Sequence, residues 1–266
     1  MRFNTLFGGA ILASTMLVAP ASASTVIVNS VDGAPSATSF GTLPGENTGG
    51  GTATVTTTEA RSGNGSLEMT GDRTRTQVGI QYAPLTTNLG ALANVTGLTF
   101  DWQIAGDSTN PYNVDYTPAL RLLIQNGTTR QELIWEGAYN GTYGNTLRDT
   151  WYSSSTSDLF YITGGSVNAG QTIAQWASQL TGAYVSGFSV GVGSGATTGY
   201  HAFADNVTLS TTGGSTTYNF EVAAAAVPEP ATWAMMILGM AAVGYAMRRS
   251  NVKFDAKIKR MTAANA

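Results

Sequence analysis

A chain of 266 residues is long enough to bury one sizeable core, and its net charge of −3 hides an asymmetry. Between Ser24 and Val227 there are six arginines, no lysine and fourteen acids, which leaves that body near −8 and excludes nucleic acid as a partner, because phosphate binding needs clustered Lys and Arg. The absence of cysteine excludes disulfides, thiol nucleophiles and thiolate metal sites, and a lone histidine leaves little scope for zinc.

At the start of the chain Arg2 precedes an apolar run from Leu6 to Val18, and Ala21-Ser22-Ala23 supplies the small residues that signal peptidase accepts. This predicts a signal peptide over residues 1–23, cut after Ala23. An uncut membrane anchor is the alternative, and the run is short for one.

Residues 24–222 read as an all-β domain. Val78, Ile80 and Tyr82 alternate with polar or small residues, as do Leu98, Phe100, Trp102 and Ile104. Further sets are Leu120, Leu122 and Ile124, then Phe188, Val190 and Val192, with Val207 and Leu209 closing the series. Turn signals separate them at Ser62–Gly65, Asn126-Gly127, Asn140-Gly141 and Gly213-Gly214, and residues 47–51 read as a loop. One segment has helical spacing: Ile173, Trp176, Ala177 and Leu180, with Gly182 just beyond. Many short strands and almost no helix predict a two-layer antiparallel β-sandwich. The stretch Ile173–Leu209, with its Gly-rich turn and a strand entering Asp205-Asn206-Val207, resembles the closing strands of jelly-roll, carbohydrate-binding-module-like domains. Residues 65–69 resemble an early strand of the same class. That resemblance implies a jelly-roll-like sandwich and bears on fold more than activity.

The candidate sites each have a plain structural alternative. Glu132 and Glu136 on one strand would share a face, and two converging carboxylates could act as nucleophile and acid/base in retaining glycoside hydrolysis. Their spacing resembles the catalytic strand of a jelly-roll family of β-glucan hydrolases, which carries an aspartate where this chain has Ile134. The alternative is two glutamates on a solvated sheet face. His201 has no recognisable catalytic partners in sequence and reads as structural. The jelly-roll resemblance implies a structural calcium at Asp205, with Asp32 and carbonyls of the Ser62–Gly65 turn as further ligands; an Asx-turn is the alternative. Tyr139, Tyr143, Trp151 and Tyr152, with Tyr112 and Tyr116, lie in or near Gly/Asn-rich loops. They could stack on sugars while Asp115, Asn140 or Asp149 bond hydroxyls, or they could pack against the sandwich ends. Trp102, Trp135 and Trp176 read as core.

After a small-residue linker over residues 223–227, the chain reads Pro228-Glu229-Pro230, an uncharged apolar run from Ala231 to Met247, then Arg248-Arg249. The run predicts a transmembrane helix of about 25 Å, near the lower limit for a bilayer core, with the arginines on the cytoplasmic side. Glu229 between two prolines is biased toward extended backbone, which suits a protease site. The segment over residues 228–249 resembles the PEP-CTERM sorting domain of exported bacterial proteins. The resemblance implies recognition of Pro228, Glu229 and Pro230 by a membrane protease of the exosortase type, with Arg248 and Arg249 as the cytoplasmic stop. It also implies an inner-membrane-anchored precursor, a final place at the cell surface or outside the cell, and an association with exopolysaccharide and biofilm material. Residues 250–266 add Lys253, Lys257, Lys259 and Arg260, a basic cytoplasmic tail able to meet anionic headgroups. The reading is therefore an exported surface or matrix protein, non-catalytic and able to bind polysaccharide, with no cofactor beyond the calcium considered above. A secreted glycoside hydrolase using Glu132 and Glu136 and a purely structural adhesin-like protein are the alternatives.

Overall fold

Two β-sheets face each other across a core filled by the alternating residues read above. A computed structural model of the chain describes residues 22–110, 115–142, 144–223 and 230–263. The chain divides into two units, Met1–Val222 and Ala223–Ala266.

The strands of the first unit are β1 (Ser22–Val28), β2 (Thr52–Thr56), β3 (Ser66–Thr70), β4 (Thr74–Gly79), β5 (Gly90–Ala91), β6 (Val95–Ile104), β7 (Ala119–Asn126), β8 (Thr129–Trp135), β9 (Tyr152–Ser153), β10 (Tyr161–Ile162), β11 (Tyr184–Val192), β12 (His201–Thr211) and β13 (Gly214–Phe220). One sheet runs β1-β13-β12-β3-β2, with β6 also on β12 and β9 on β6. The other runs β10-β8-β7-β11-β4, with β5 also on β11. Among the described residues of this unit the one α-helix, α1 (Ile173–Gln179), is opened by a capping box in which Thr172 and Gln175 satisfy each other's backbone N–H groups.

The inner faces meet as the period-two pattern requires. Leu98, Phe100, Trp102 and Ile104 of β6 are buried with Leu120, Leu122 and Ile124 of β7 and with Phe188 and Val190 of β11. Phe40, from the long loop after β1, closes one end, its ring 5.0–5.7 Å from those of Phe188, Tyr218 and Phe220 in edge-on contacts. Trp135 and Trp176 are buried, and each spends its indole N–H, Trp135 on Asp158 at 2.8 Å and Trp176 on the Phe160 carbonyl at 2.6 Å.

Several expectations need correction. β1 and β13 pair in parallel, so the sandwich is not wholly antiparallel; these strands come from opposite ends of the unit, and the body of the domain serves as their crossover. β13 follows the predicted Gly213-Gly214 turn, so Val207 and Leu209 do not close the series. β4 stops at Gly79, whose φ of +80° turns the chain, and Tyr82 lies outside it, 42% exposed beneath the Arg130 guanidinium. Residues 1–21, most of the predicted signal peptide, lie outside the described residues; Ser22 and Ala23 are the first residues of β1, paired with Gly214 and Ser215.

In the second unit, residues 224–229, with Pro228 and Glu229, lie outside the described residues, and α2 spans Pro230–Ala263. The expected transmembrane helix is not supported: among the described residues no helix is long and apolar enough to cross a membrane. The uncharged stretch Ala231–Met247 would extend about 25 Å, against the ~30 Å of a hydrocarbon core. Thr232, Gly239 and Gly244 dilute its hydropathy, and α2 then runs without a break into charged residues.

Candidate functional site: the outer face of the six-stranded sheet

The outward residues of β11 are Gly187, Ser189 and Gly191, so this strand forms a trough without large side chains between β4 and β7. A Cβ at Gly191 would lie 2.0 Å from the Thr74 carbonyl, so nothing larger fits there. Arg75, from β4, reaches over the trough and donates to both carboxylate oxygens of Glu132 on β8, at 2.9 and 3.1 Å. β11 and β7 lie between these strands, and the pairing registers set the two residues two same-face rows apart. On a flat sheet three strand spacings and four residues of rise would separate their Cα atoms by about 19 Å, beyond the reach of the two side chains. The sheet is therefore curled, with this face concave.

Glu132 also lies 3.8 Å from Arg121 Nε, while Arg75 and Arg73 both approach Glu46, at 3.8 and 3.4 Å. Burial alone would lower the Arg75 pKa, but Glu132 and Glu46 raise it on balance, whereas burial together with Arg75 pulls that of Arg121 down.

Beneath this strap one register line crosses five strands: Gln77, Ser189, Arg121, Ile134 and Tyr161. Gln77, Ser189 and Arg121 are 1%, 0% and 6% exposed, yet Gln77 Oε1, Ser189 Oγ and Arg121 Nη1 make no hydrogen bond among the described residues. Each such group costs about 1–3 kcal/mol relative to a satisfied one. All three atoms are closed off from solvent, and others of the kind lie elsewhere, among them Gln103 and Tyr200.

Tyrosines border the end of that row. Tyr161 donates its hydroxyl to Glu136 at 3.1 Å, and burial together with Glu136 holds its pKa well above the ordinary value. Tyr139 meets Tyr161 edge-on at 5.6 Å and is 40% exposed. The two rings, with Leu159, Val167 and Asn168, line a cavity of about 250 Å³. Tyr116 contacts Tyr200 edge-on and feels the charges of Glu136 and Arg121, although burial is the main cause of its raised pKa.

The structure thus brings Glu132, Glu136, Tyr116 and Tyr139 into one region, but not as a hydrolase pair. Both oxygens of Glu132 are held by Arg75, and Glu136 stands just past β8, ahead of a 3-10 turn, bonded to Tyr161. Tyr152 is elsewhere, on the other sheet: its ring stacks on buried Trp102 at 4.8 Å and its hydroxyl accepts the Leu147 N–H. Trp151 is half-buried, and Tyr112 and Tyr143 lie outside the described residues. Pattern reading missed Arg75, Arg121, Gln77, Ser189 and Tyr161; their outward positions in alternating strands were the available signal.

Asp205 is fully buried where β3 leaves β12 and β13 takes its place. Oδ1 accepts the N–H groups of Asn206 and Phe220 at 2.8 and 2.9 Å, and Oδ2 accepts Ser62 N–H and Oγ–H at 3.3 and 3.1 Å. Burial pushes its pKa up to about 6 against the pull of these donors. The calcium reading is not supported here: the carboxylate collects protons where a cation needs lone pairs, Asp32 bonds Ser30 instead, and among the described residues no three His, Asp or Glu cluster for a metal. His201 does have partners the sequence concealed, since its ring nitrogens lie 2.7 Å from Asp107 and 3.0 Å from Glu68.

A family model of the PEP-CTERM protein-sorting motif matches residues 226–250. No curated protein matches the chain. Among solved structures, one from a study of promiscuous specificity in carbohydrate-binding modules of the β-sandwich superfamily is 16% identical, with a TM-score of 0.30; the match covers 63% of this chain and 55% of that one, so the chain spans about half of that structure's length. A candidate sugar-binding protein from Bacteroides thetaiotaomicron VPI-5482 is 10% identical over 73% of this chain and 95% of its own, with a TM-score of 0.36.

Proposed function

We propose that this is an exported protein of the cell surface or extracellular polysaccharide matrix, whose sandwich binds a glycan without cleaving it. The sorting motif at residues 226–250 supports export, with the precursor held at the membrane until an exosortase-type protease acts at Pro228-Glu229-Pro230. The observation that carries glycan binding is the cavity of about 250 Å³ at the end of this face, lined by Tyr139 and Tyr161 with Leu159, Val167 and Asn168. The half-exposed Tyr139 ring offers a stacking surface, and the exposed Asn168 amide beside it can bond sugar hydroxyls. The clamp on Glu132 supports binding over hydrolysis, because a carboxylate held at both oxygens is a poor nucleophile and a poor acid.

The test is affinity electrophoresis of the folded body in gels containing the producing cell's own polysaccharide. Retardation that Tyr139→Ala weakens, with little change in thermal unfolding, is the expected result. Equal mobility with and without polysaccharide would leave a purely structural protein. For sorting, Pro228→Ala with Pro230→Ala should leave the precursor at full length in the producing cell, and normal maturation would contradict that part of the reading.

A further inference from the structure

α2 changes character halfway along, and the change goes beyond a sorting signal. Its first half, to Met247, is uncharged. Its second half carries Arg248, Arg249, Lys253, Lys257, Lys259 and Arg260 against the single acid Asp255. At 100° per residue Arg249, Lys253, Lys257 and Arg260 fall within one stripe of the helix, and Phe254, Ile258 and Met261, at i, i+4 and i+7, form an adjoining apolar stripe. Phe254 is 68% and Met261 55% exposed, and the basic side chains are exposed beside them.

We infer that this second half is a lipid-surface-binding helix whose partner is an anionic bilayer. The charge selects the occupant: net positive along the half-helix, beside an apolar stripe too narrow to drive a hydrophobic core but wide enough to enter the headgroup boundary. The uncharged first half of the same helix adds apolar surface, the second signal that stable anchoring needs. The protein would therefore be held by two elements on one continuous helix, with the basic half responsible for selectivity among lipids.

The experiment is sedimentation of the full chain with vesicles of phosphatidylcholine alone and of phosphatidylcholine mixed with anionic phosphatidylglycerol. The expected result is tighter binding to the anionic vesicles, weakening as salt is raised. Joint replacement of Lys253, Lys257, Lys259 and Arg260 by Gln keeps good helix formers and should lower affinity for anionic vesicles by roughly tenfold or more, while leaving the weaker binding to neutral vesicles unchanged. Phe254→Gln with Met261→Gln should weaken binding to both kinds. Equal affinity for the two vesicle types, or an unaffected basic-to-Gln variant, would overturn the proposal. Neither outcome bears on the sorting motif, whose test is maturation of the Pro228/Pro230 variant.

Discussion

Arg75 and Glu132 are joined by two hydrogen bonds, 2.9 and 3.1 Å long, although two strands lie between theirs. The contact needs three things at once: small residues on β11 beneath it, a curled sheet, and side chains only 13% and 17% exposed so that water does not compete. It acts as a tie across the concave face.

Removing one partner of that tie leaves the other charge part-buried. Glu132→Gln should destabilise the domain by about 2–4 kcal/mol, since it releases Arg75 and also takes the nearest carboxylate from Arg121. Arg75→Met combined with Glu132→Leu should recover much of the loss. Urea unfolding of the single and double variants measures both, and strictly additive losses would argue against the tie.

Asp205 predicts an unusual pH dependence. Its folded pKa, about 6, lies above the ordinary 3.8, so between these values the folded state binds more protons than the unfolded one. The contribution of this group is therefore greatest below pH 4 and declines as pH rises to about 6, by about 3 kcal/mol at ~1.4 kcal/mol per unit. Asp205→Asn keeps an acceptor for Asn206 and Phe220 and should lack that decline. Unfolding midpoints across this range, compared between the two proteins, decide the matter; parallel curves would refute the assignment.

Glu68 works in the opposite sense. Burial alone would raise its pKa, but the Thr56 and Thr58 hydroxyls and His201 bring it below the ordinary 4.5. Its contribution is present above pH 4.5 and is lost as pH falls through the lowered value. Glu68→Gln should flatten the acid limb of the stability curve. It should also move the His201 ring resonances in an NMR spectrum; resonances identical to wild type would count against the contact.

The two tyrosines proposed from sequence as equivalent should separate on mutation. Tyr152→Ala removes a ring stacked on Trp102 and should cost about 2–4 kcal/mol of stability. Tyr139→Ala, at a 40% exposed position, should cost under about 1 kcal/mol and act on glycan binding instead. Thermal unfolding beside affinity electrophoresis distinguishes them, and a reversed order of effects would contradict the placement of the site.

The layers of the sandwich were legible because burial imposes a period of two: Leu98, Phe100, Trp102 and Ile104 point inward as their spacing requires. Turns at Asn126-Gly127 and Gly213-Gly214 were legible for a similarly local reason, and so was α1. Strands β2 and β13 were not, because Thr-rich runs alternate without contrast between their two faces. Glu132 and Glu136 were noticed for their spacing, but Arg75, more than fifty residues away, is what determines the use of Glu132.

Residue type and order alone determined the all-β body, its acidic charge, the lack of any thiol chemistry and the sorting motif, since each depends on composition or on neighbours along the chain. Only the folded chain decided that Gln77, Ser189, Arg121 and Tyr161 form one line, that Asp205 collects four donors at a strand fork, and that His201 has two carboxylates for company. Those relationships depend on strand register and sheet curvature, which are set by the packing of the whole core and leave no periodic trace in the local sequence.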